Sequence, residues 1–150
     1  MLNGVIDSEK GIRESCLRLL VRREHSQREL LDKLALKGIE RSATQVVIDQ
    51  LIDEGWQSDA RFAESYARYR IRKGFGPVKI SYELRQKGVG DFDLDPVVLD
   101  VADSWFDLLT QVYHKKYADS DELSQKERVK RSRFLQQRGF SHEMINIVLK

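Results

Sequence analysis

The sequence contains a single cysteine, Cys16, and only two prolines among its 150 residues. One cysteine can form neither an internal disulfide nor a cysteine-cluster zinc site, which favours a reducing compartment. Scarce proline favours a mostly helical chain. No apolar stretch approaches the ~18 residues of a membrane span, and no signal-peptide pattern opens the chain. We therefore expect a soluble, cytoplasmic protein with no membrane partner.

Patterns that carry catalysis or hold metals are also missing. The GFGP segment at 74–77 lacks the Lys-Ser/Thr of a phosphate loop and is interpreted as a tight turn between helices. Cys16 lies on an apolar helical stripe, which is typical of a core residue. The six aspartates between 91 and 107 do not have EF-hand spacing. The histidines are scattered and are interpreted as surface or cap residues: His25, His114 and His142. We expect no enzyme activity, no metal and no cofactor.

The net charge of +2 conceals strong segregation along the chain. Residues 57–90 carry eight basic and three acidic side chains, and residues 91–112 carry six aspartates and no basic residue. Residues 113–138 again carry eight basic against four acidic side chains. Because binding depends on local fields, these blocks say more about partners than the total does.

Three segments of the chain resemble one another, at residues 29–39, 79–89 and 130–140. Each contains a leucine, two further residues, a basic residue, a glycine and an apolar residue. The glycines, Gly38, Gly88 and Gly139, are separated by 50 and 51 positions. A basic last turn followed by glycine is typical of a helix C-terminus, so each segment is predicted to be a helix that ends at its glycine.

Helix starts support the same periodicity. Ser26 with Glu29, and Ser124 with Glu127, form capping-box patterns, and Pro77 suits a first helical position. Apolar residues at helical spacing predict one helix before and one after each central helix. The caps predicted for these flanking helices are Ser58 or Asp59, Ser42 and Ser141. The pattern predicts nine helices and no strand.

The resulting prediction is an all-α protein of three tandem three-helix repeats, at 1–56, 57–102 and 103–150, which form an elongated, curved array. Phe62, Tyr66 and Tyr69 share an apolar stripe and are predicted to be core residues. Trp56 and Trp105 lie near repeat boundaries, where packing between repeats is expected.

Basic residues of the second and third repeats follow helical stripes, and a curved array would unite them into one basic face. Such a face suits a nucleic-acid backbone or an acidic protein surface. Phe75 and Tyr82 lie among these charges, as stacking residues would. The candidate partner-binding residues are Arg68, Arg70, Arg72, Lys73, Lys79, Arg85, Lys87, Lys126, Arg128, Lys130, Arg131 and Arg133.

The first two repeats carry longer sequence motifs. The first repeat has REHSQREL at 23–30 followed by KL at 33–34 and KGI at 37–39. The second has the more distinctive pair SDARFA at 58–63 and RKGFGPVKI at 72–80, then EL at 83–84 and KGV at 87–89. These motifs resemble those of one known family, the RecX regulatory proteins. The resemblance covers about residues 12–149, and the third repeat is more divergent.

The resemblance implies a non-enzymatic modulator of the RecA recombinase. Such proteins lodge in the groove of the RecA–single-stranded-DNA filament and hinder its growth, and thereby restrain ATP hydrolysis, strand exchange and cleavage of the SOS repressor. The expected partners are the RecA filament and single-stranded DNA within or near it, and we expect a monomer. The alternative is a module that binds nucleic acid directly, because three-helix units with basic helices also resemble helix-turn-helix readers.

Overall fold

The computed structural model describes residues 8–118 and 122–149. Within these ranges the chain forms nine α-helices and no β-strand, so the all-α prediction is confirmed. The helices are α1 (Glu9–Arg22), α2 (Gln27–Ala35), α3 (Arg41–Asp53), α4 (Asp59–Arg72), α5 (Pro77–Gln86), α6 (Asp95–Ala102), α7 (Trp105–Lys116), α8 (Gln125–Gln137) and α9 (His142–Val148).

The chain packs into two compact units. The first contains Ser65 and the described residues before it, together with Arg85–Gly90. The second contains Tyr66–Leu84 and the described residues from Asp91 onward. The division therefore falls within α4 and again near the end of α5. The repeat boundaries at 56 and 102, and the elongated, curved arrangement, stay predictions.

The core of the first unit is formed by α1, α2 and α3, which all contact one another. Cys16 is fully buried in it, as predicted, and burial raises the pKa of its thiol to about 11. A thiol with that pKa is protonated at neutral pH and is a poor nucleophile. The other buried members of the cluster are apolar: Ile12, Leu30, Leu34, Ile39, Val47, Ile48 and Leu51.

Most of the predicted helix starts are confirmed. Ser26 accepts a hydrogen bond from the Glu29 amide, and the Glu29 carboxylate accepts one from the Ser26 amide, which completes a capping box. Ser124 and Ser141 cap α8 and α9. Ser42 was the wrong cap, because α3 begins at Arg41 after Glu40 and contains Ser42 in its first turn.

The three repeat glycines end their helices in the left-handed conformation. Their φ angles are 84° at Gly38, 85° at Gly88 and 100° at Gly139, so the sequence prediction is confirmed at all three. The helix-ending signal thus explains why the motif keeps a glycine at each place: a side chain there would strain the backbone.

Gly139 also packs tightly against the start of α5. A Cβ at Gly139 would lie 2.4 Å from the Lys79 Cβ, and one at Gly76 would lie 2.5 Å from the Gly139 oxygen. The amides of Gly76 and Val78 donate to the carbonyls of Arg138 and Gly139, at 2.7 and 2.9 Å. The GFGP segment is therefore the tight turn that was predicted, and its glycine permits backbone-to-backbone docking.

The first unit contains a related contact. A Cβ at Gly88 would lie 2.9 Å from the Arg28 Cβ, and the Lys87 ammonium lies 3.7 Å from the Glu29 carboxylate. The helix-ending glycines of the second and third repeats thus both pack on the first turn of a preceding central helix. Gly38, in the first repeat, has no atom within 4 Å of its Cβ position.

Three burial predictions were wrong. Tyr69 is 55% exposed, because the buried face of α4 is centred on Ala63, Ala67 and Ile71 and Tyr69 lies at the edge of that face. Trp56 is 52% exposed, so packing does not enclose it. His25 is buried rather than at the surface: its Nδ1 lies 3.0 Å from the Arg23 carbonyl and its Nε2 lies 3.0 Å from the Lys33 ammonium. Internal partners for both ring nitrogens allow this burial.

Candidate functional site

Arg70, one of the predicted partner-binding residues, is held by contacts inside the second unit. Its Nε and Nη2 donate to the two Glu83 carboxylate oxygens at 2.9 and 2.8 Å. Its guanidinium carbon also lies 3.8 Å from the centre of the Phe75 ring. Because a two-point ion pair with a stacked ring fixes geometry, Arg70 ties α4 to α5.

Arg131 is likewise committed within the fold. It is 9% exposed, and it donates from Nε to Glu127 at 3.0 Å and from Nη1 to the Tyr113 hydroxyl at 2.7 Å. The hydrogen bonds to Tyr113 and to Glu127 raise the pKa of Arg131 above its ordinary value. Arg131 therefore anchors α8 on α7.

Three further predicted residues have internal partners. Arg68 forms an ion pair with Asp100, Arg128 donates to the Leu149 carbonyl, and Lys87 faces Glu29. The sequence stripe did not distinguish these residues from free ones, because their partners come from other helices. Arg72, Lys73, Arg85, Lys126, Lys130 and Arg133 are exposed.

Two of the exposed residues, Arg72 and Lys73, line a groove in the second unit. The groove has a volume of about 430 Å³, and we call it the cationic groove. It lies where the C-terminal ends of α4, α7 and α8 meet. Its lining residues are Arg72, Lys73, Gly74, Leu108, Gln111, Val112, Lys115, Lys116, Phe134 and Arg138. Five of these are cationic and none is acidic.

Contacts along the groove hold two of its cations in place. The Arg138 Nη1 donates to the Lys73 carbonyl at 3.0 Å, and its guanidinium carbon lies 5.5 Å from the centre of the Phe134 ring. The Lys116 ammonium lies 4.0 Å from the same ring centre. Cation–π contacts of this kind orient the charged groups without neutralising them.

Three of the five groove cations, Lys115, Lys116 and Arg138, were missed by reasoning from the sequence. The available signal was the last turn of α7, where two lysines stand together, and the basic residue before each repeat glycine. What the stripes could not show is that three helix ends converge.

The two aromatic residues predicted to stack on a ligand differ in their surroundings. Phe75 is half-buried and is surrounded by Arg70, Lys79 and Arg138, at 3.8, 5.0 and 4.9 Å from its ring centre. It therefore organises cations within the unit. Tyr82 is 56% exposed on α5.

A second groove lies between α8 and α9, with a volume of about 380 Å³. Arg128 and Arg133 line it together with His142 and the amides of Gln125, Gln136 and Asn146. Lys126 and Lys130 lie on α8 but line neither groove. The predicted basic face is thus divided among several local surfaces.

The described ranges contain no group of three or more histidine, cysteine, aspartate or glutamate residues arranged to hold a metal ion. Among the same residues, no helix is both long enough and apolar enough to cross a membrane.

Comparison with known families matches the chain to three domain models in order. The first three-helix domain of RecX matches residues 13–51, the second matches 58–95 and the third matches 102–149. The chain belongs to the RecX family. The RecX assignment confirms both the resemblance and the fold of three three-helix repeats.

Curated relatives support the RecX assignment along nearly the whole chain. A "Regulatory protein RecX" of Pseudomonas fluorescens is 38% identical over 145 residues, which cover 97% of this chain and 94% of the relative. One of Legionella pneumophila (strain Corby) is 40% identical over 137 residues, 91% of each chain.

Solved structures show the same fold. "Crystal structure of regulatory protein RecX" aligns with a TM-score of 0.76 at 21% identity, and covers 97% of this chain and 73% of its own. "Crystal structure of RecX from Lactobacillus salivarius" aligns with a TM-score of 0.72 at 23% identity, over 94% of both chains.

Proposed function

We propose that this protein binds the RecA–single-stranded-DNA filament and inhibits its growth. Through that inhibition it restrains ATP hydrolysis, strand exchange and SOS repressor cleavage, and so modulates recombination and DNA repair. The observation that carries the proposal is the match of all three RecX domain models in order along the chain. We propose that it acts as a cytoplasmic, monomeric regulator without catalytic activity of its own.

The mechanism we propose is steric and electrostatic. The protein occupies filament surface that incoming RecA subunits need, and its exposed cations face acidic RecA surface or DNA phosphates. The cationic groove and the free lysines of α8 are the best candidates, because no ion pair joins Arg72, Lys73, Lys126 or Lys130 to a described carboxylate. A cation without an internal ion pair can bind a partner without giving up an existing interaction, whereas a cation paired with a carboxylate must first break that pair.

The test is RecA ATPase activity on single-stranded DNA, with increasing amounts of the protein. The wild type is expected to inhibit. Reversal of four exposed charges, Arg72→Glu, Lys73→Glu, Lys126→Glu and Lys130→Glu, is expected to weaken inhibition at least about tenfold, because each reversal replaces attraction with repulsion.

A matched control reverses four exposed charges in the first unit: Lys10→Glu, Arg18→Glu, Arg22→Glu and Lys37→Glu. This variant is expected to inhibit like the wild type. Helical circular dichroism must be normal in both variants. Failure of the wild type to inhibit RecA would overturn the proposal, and equal inhibition by the four-residue variant would overturn the electrostatic mechanism.

The alternative function is a module that binds nucleic acid directly, and the same purified proteins can test it. Helix-turn-helix proteins contact bases with the N-terminal residues of a recognition helix. The cationic groove is instead built from helix C-terminal ends. Tight, salt-dependent binding to naked duplex DNA without RecA would favour the alternative.

A further inference from the structure

The cationic groove holds more positive charge than its structural surroundings explain. Cations are favourable at helix C-termini, because each terminus carries about half a negative charge. Three such ends supply roughly −1.5 charges in total. The five groove cations carry five positive charges, and no carboxylate lines the groove. Helix capping therefore leaves a large part of this charge without a counterpart.

The cations also have no carboxylate partner among the described residues. No ion pair with a described carboxylate involves Arg72, Lys73, Lys115, Lys116 or Arg138. Like charges gathered around one cavity repel one another and raise the local positive potential. A multiply charged anion in the groove would relieve that repulsion at several side chains at once.

The size of the groove limits the kind of anion. A volume of about 430 Å³ lies within the ~300–1,000 Å³ of small-molecule sites. The guanidinium of Arg72 and the ammonium groups of the three lysines supply many N–H donors, and phosphate oxygens are strong acceptors of such charge-assisted hydrogen bonds. Leu108, Val112 and Phe134 add apolar surface beside them.

We propose that the cationic groove binds a compact polyphosphate anion, a short chain of linked phosphates. Inorganic polyphosphate and the triphosphate of a nucleotide share this chemistry. The cations surround one cavity, which suits a compact anion better than an extended strand. The proposal does not depend on RecA, because the site lies within one unit of the protein.

The experiment is isothermal titration calorimetry of the 150-residue chain, in the absence of RecA and divalent cations. The probes are inorganic tripolyphosphate, ATP, inorganic monophosphate and a short oligothymidylate, at matched ionic strength. Tripolyphosphate is expected to bind at least about tenfold more tightly than monophosphate, since more charged oxygens engage the same cations. If ATP binds as tightly as tripolyphosphate, the phosphate chain is the group that the groove recognises. If ATP binds more tightly, the nucleoside contributes to binding as well.

Two charge-matched variants locate the site. Lys115→Glu with Lys116→Glu is expected to weaken tripolyphosphate binding at least about tenfold, because two attractions become repulsions. Lys126→Glu with Lys130→Glu changes the net charge equally outside the groove and is expected to bind like the wild type. The milder pair Lys115→Gln and Lys116→Gln replaces the reversal if that variant does not fold.

Three results would overturn the proposal. The first is tripolyphosphate binding no tighter than monophosphate. The second is equal loss of binding in the groove variant and the α8 variant, which indicates diffuse charge attraction. The third is oligothymidylate binding at the groove that tripolyphosphate does not displace, which makes a nucleic-acid strand the occupant. RecA inhibition is measured separately, so a failure of polyphosphate binding and a failure of the proposed function can be distinguished.

Discussion

At the scale of single residues, His25 couples the stability of the first unit to pH. Burial, together with the positive charges of Arg23 and Lys33, lowers the pKa of His25 below its ordinary value, although the bond to the Arg23 carbonyl and the charge of Glu29 oppose this. Nε2 lies 3.0 Å from the Lys33 ammonium. If Nε2 carried a proton, it could no longer accept a hydrogen bond from Lys33, and two positive groups would face each other. The folded state therefore favours the neutral form of the His25 ring.

The sign of the pH effect follows from this shift. The unfolded state takes up the proton near pH 6.5, and the folded state does so only at lower pH. The free energy of unfolding is thus expected to fall as the pH is lowered from 7 to 5.5, by at most about 1.4 kcal/mol per pH unit from this residue. His25→Gln should reduce the pH dependence of the free energy of unfolding, measured by urea denaturation, relative to the wild type. An unaltered pH dependence in His25→Gln would contradict the assignment.

The repeat glycines allow a second test with a matched control inside one chain. Gly38→Ala meets no atom within 4 Å, so only its positive φ is strained, at a cost of about 1–2 kcal/mol. Gly139→Ala has the same strain and also drives its Cβ against the backbone of Lys79, which cannot move away as a side-chain tip would. Gly139→Ala is expected to lower the free energy of unfolding at least about twice as much. Equal losses would show that docking of the turn contributes little.

At the scale of helices and turns, much of the fold could be predicted from the sequence because its signals are local. Ser26, Pro77 and the three glycines act through hydrogen bonds and backbone angles within a few residues of themselves. The prediction that Ser42 caps α3 was wrong, because a helix can begin at any of several neighbouring positions. Glu40 is the N-cap residue, and its side chain makes no capping hydrogen bond. The docking of Gly139 on Gly76 could not be predicted, since it depends on how two distant turns meet.

The capping box of α2 provides the prediction at this scale. Ser26 is fully buried, and its hydroxyl accepts the Glu29 amide at 3.1 Å. Ser26→Ala is expected to destabilise the protein by about 1 kcal/mol, because the amide loses its acceptor. Ser42→Ala, in the exposed first turn of α3, is expected to change stability by less than about 0.5 kcal/mol. Chemical denaturation of both variants measures the difference, and a larger loss at Ser42 would reverse the assignment of the caps.

The candidate site shows the same division between local and tertiary information. The stripe on α4 correctly indicated Arg72 and Lys73 as exposed cations. It could not show that α7 and α8 bring Lys115, Lys116 and Arg138 to the same groove. It also could not show that Arg70 donates to Glu83 of α5, or that Arg131 donates to Tyr113 of α7. Charge along a helix is visible in the sequence, whereas its neutralisation by another helix is not.

At the scale of the whole molecule, the distribution of charge predicts how binding responds to salt. A net charge of +2 spread evenly would give weak attraction to an anionic filament and little dependence on salt. Net positive charge is instead concentrated in residues 57–90 and 113–138, which the six aspartates of 91–107 separate. The apparent affinity for the RecA–DNA filament is therefore expected to fall at least about tenfold between 50 and 200 mM salt. Filament co-sedimentation over this range measures it, and the variant with Glu at positions 72, 73, 126 and 130 should show a flatter salt dependence. An affinity that does not change over this range of salt would mean that binding depends on apolar contacts. The exposed Trp56 and Tyr82 would then be the first residues to replace with alanine.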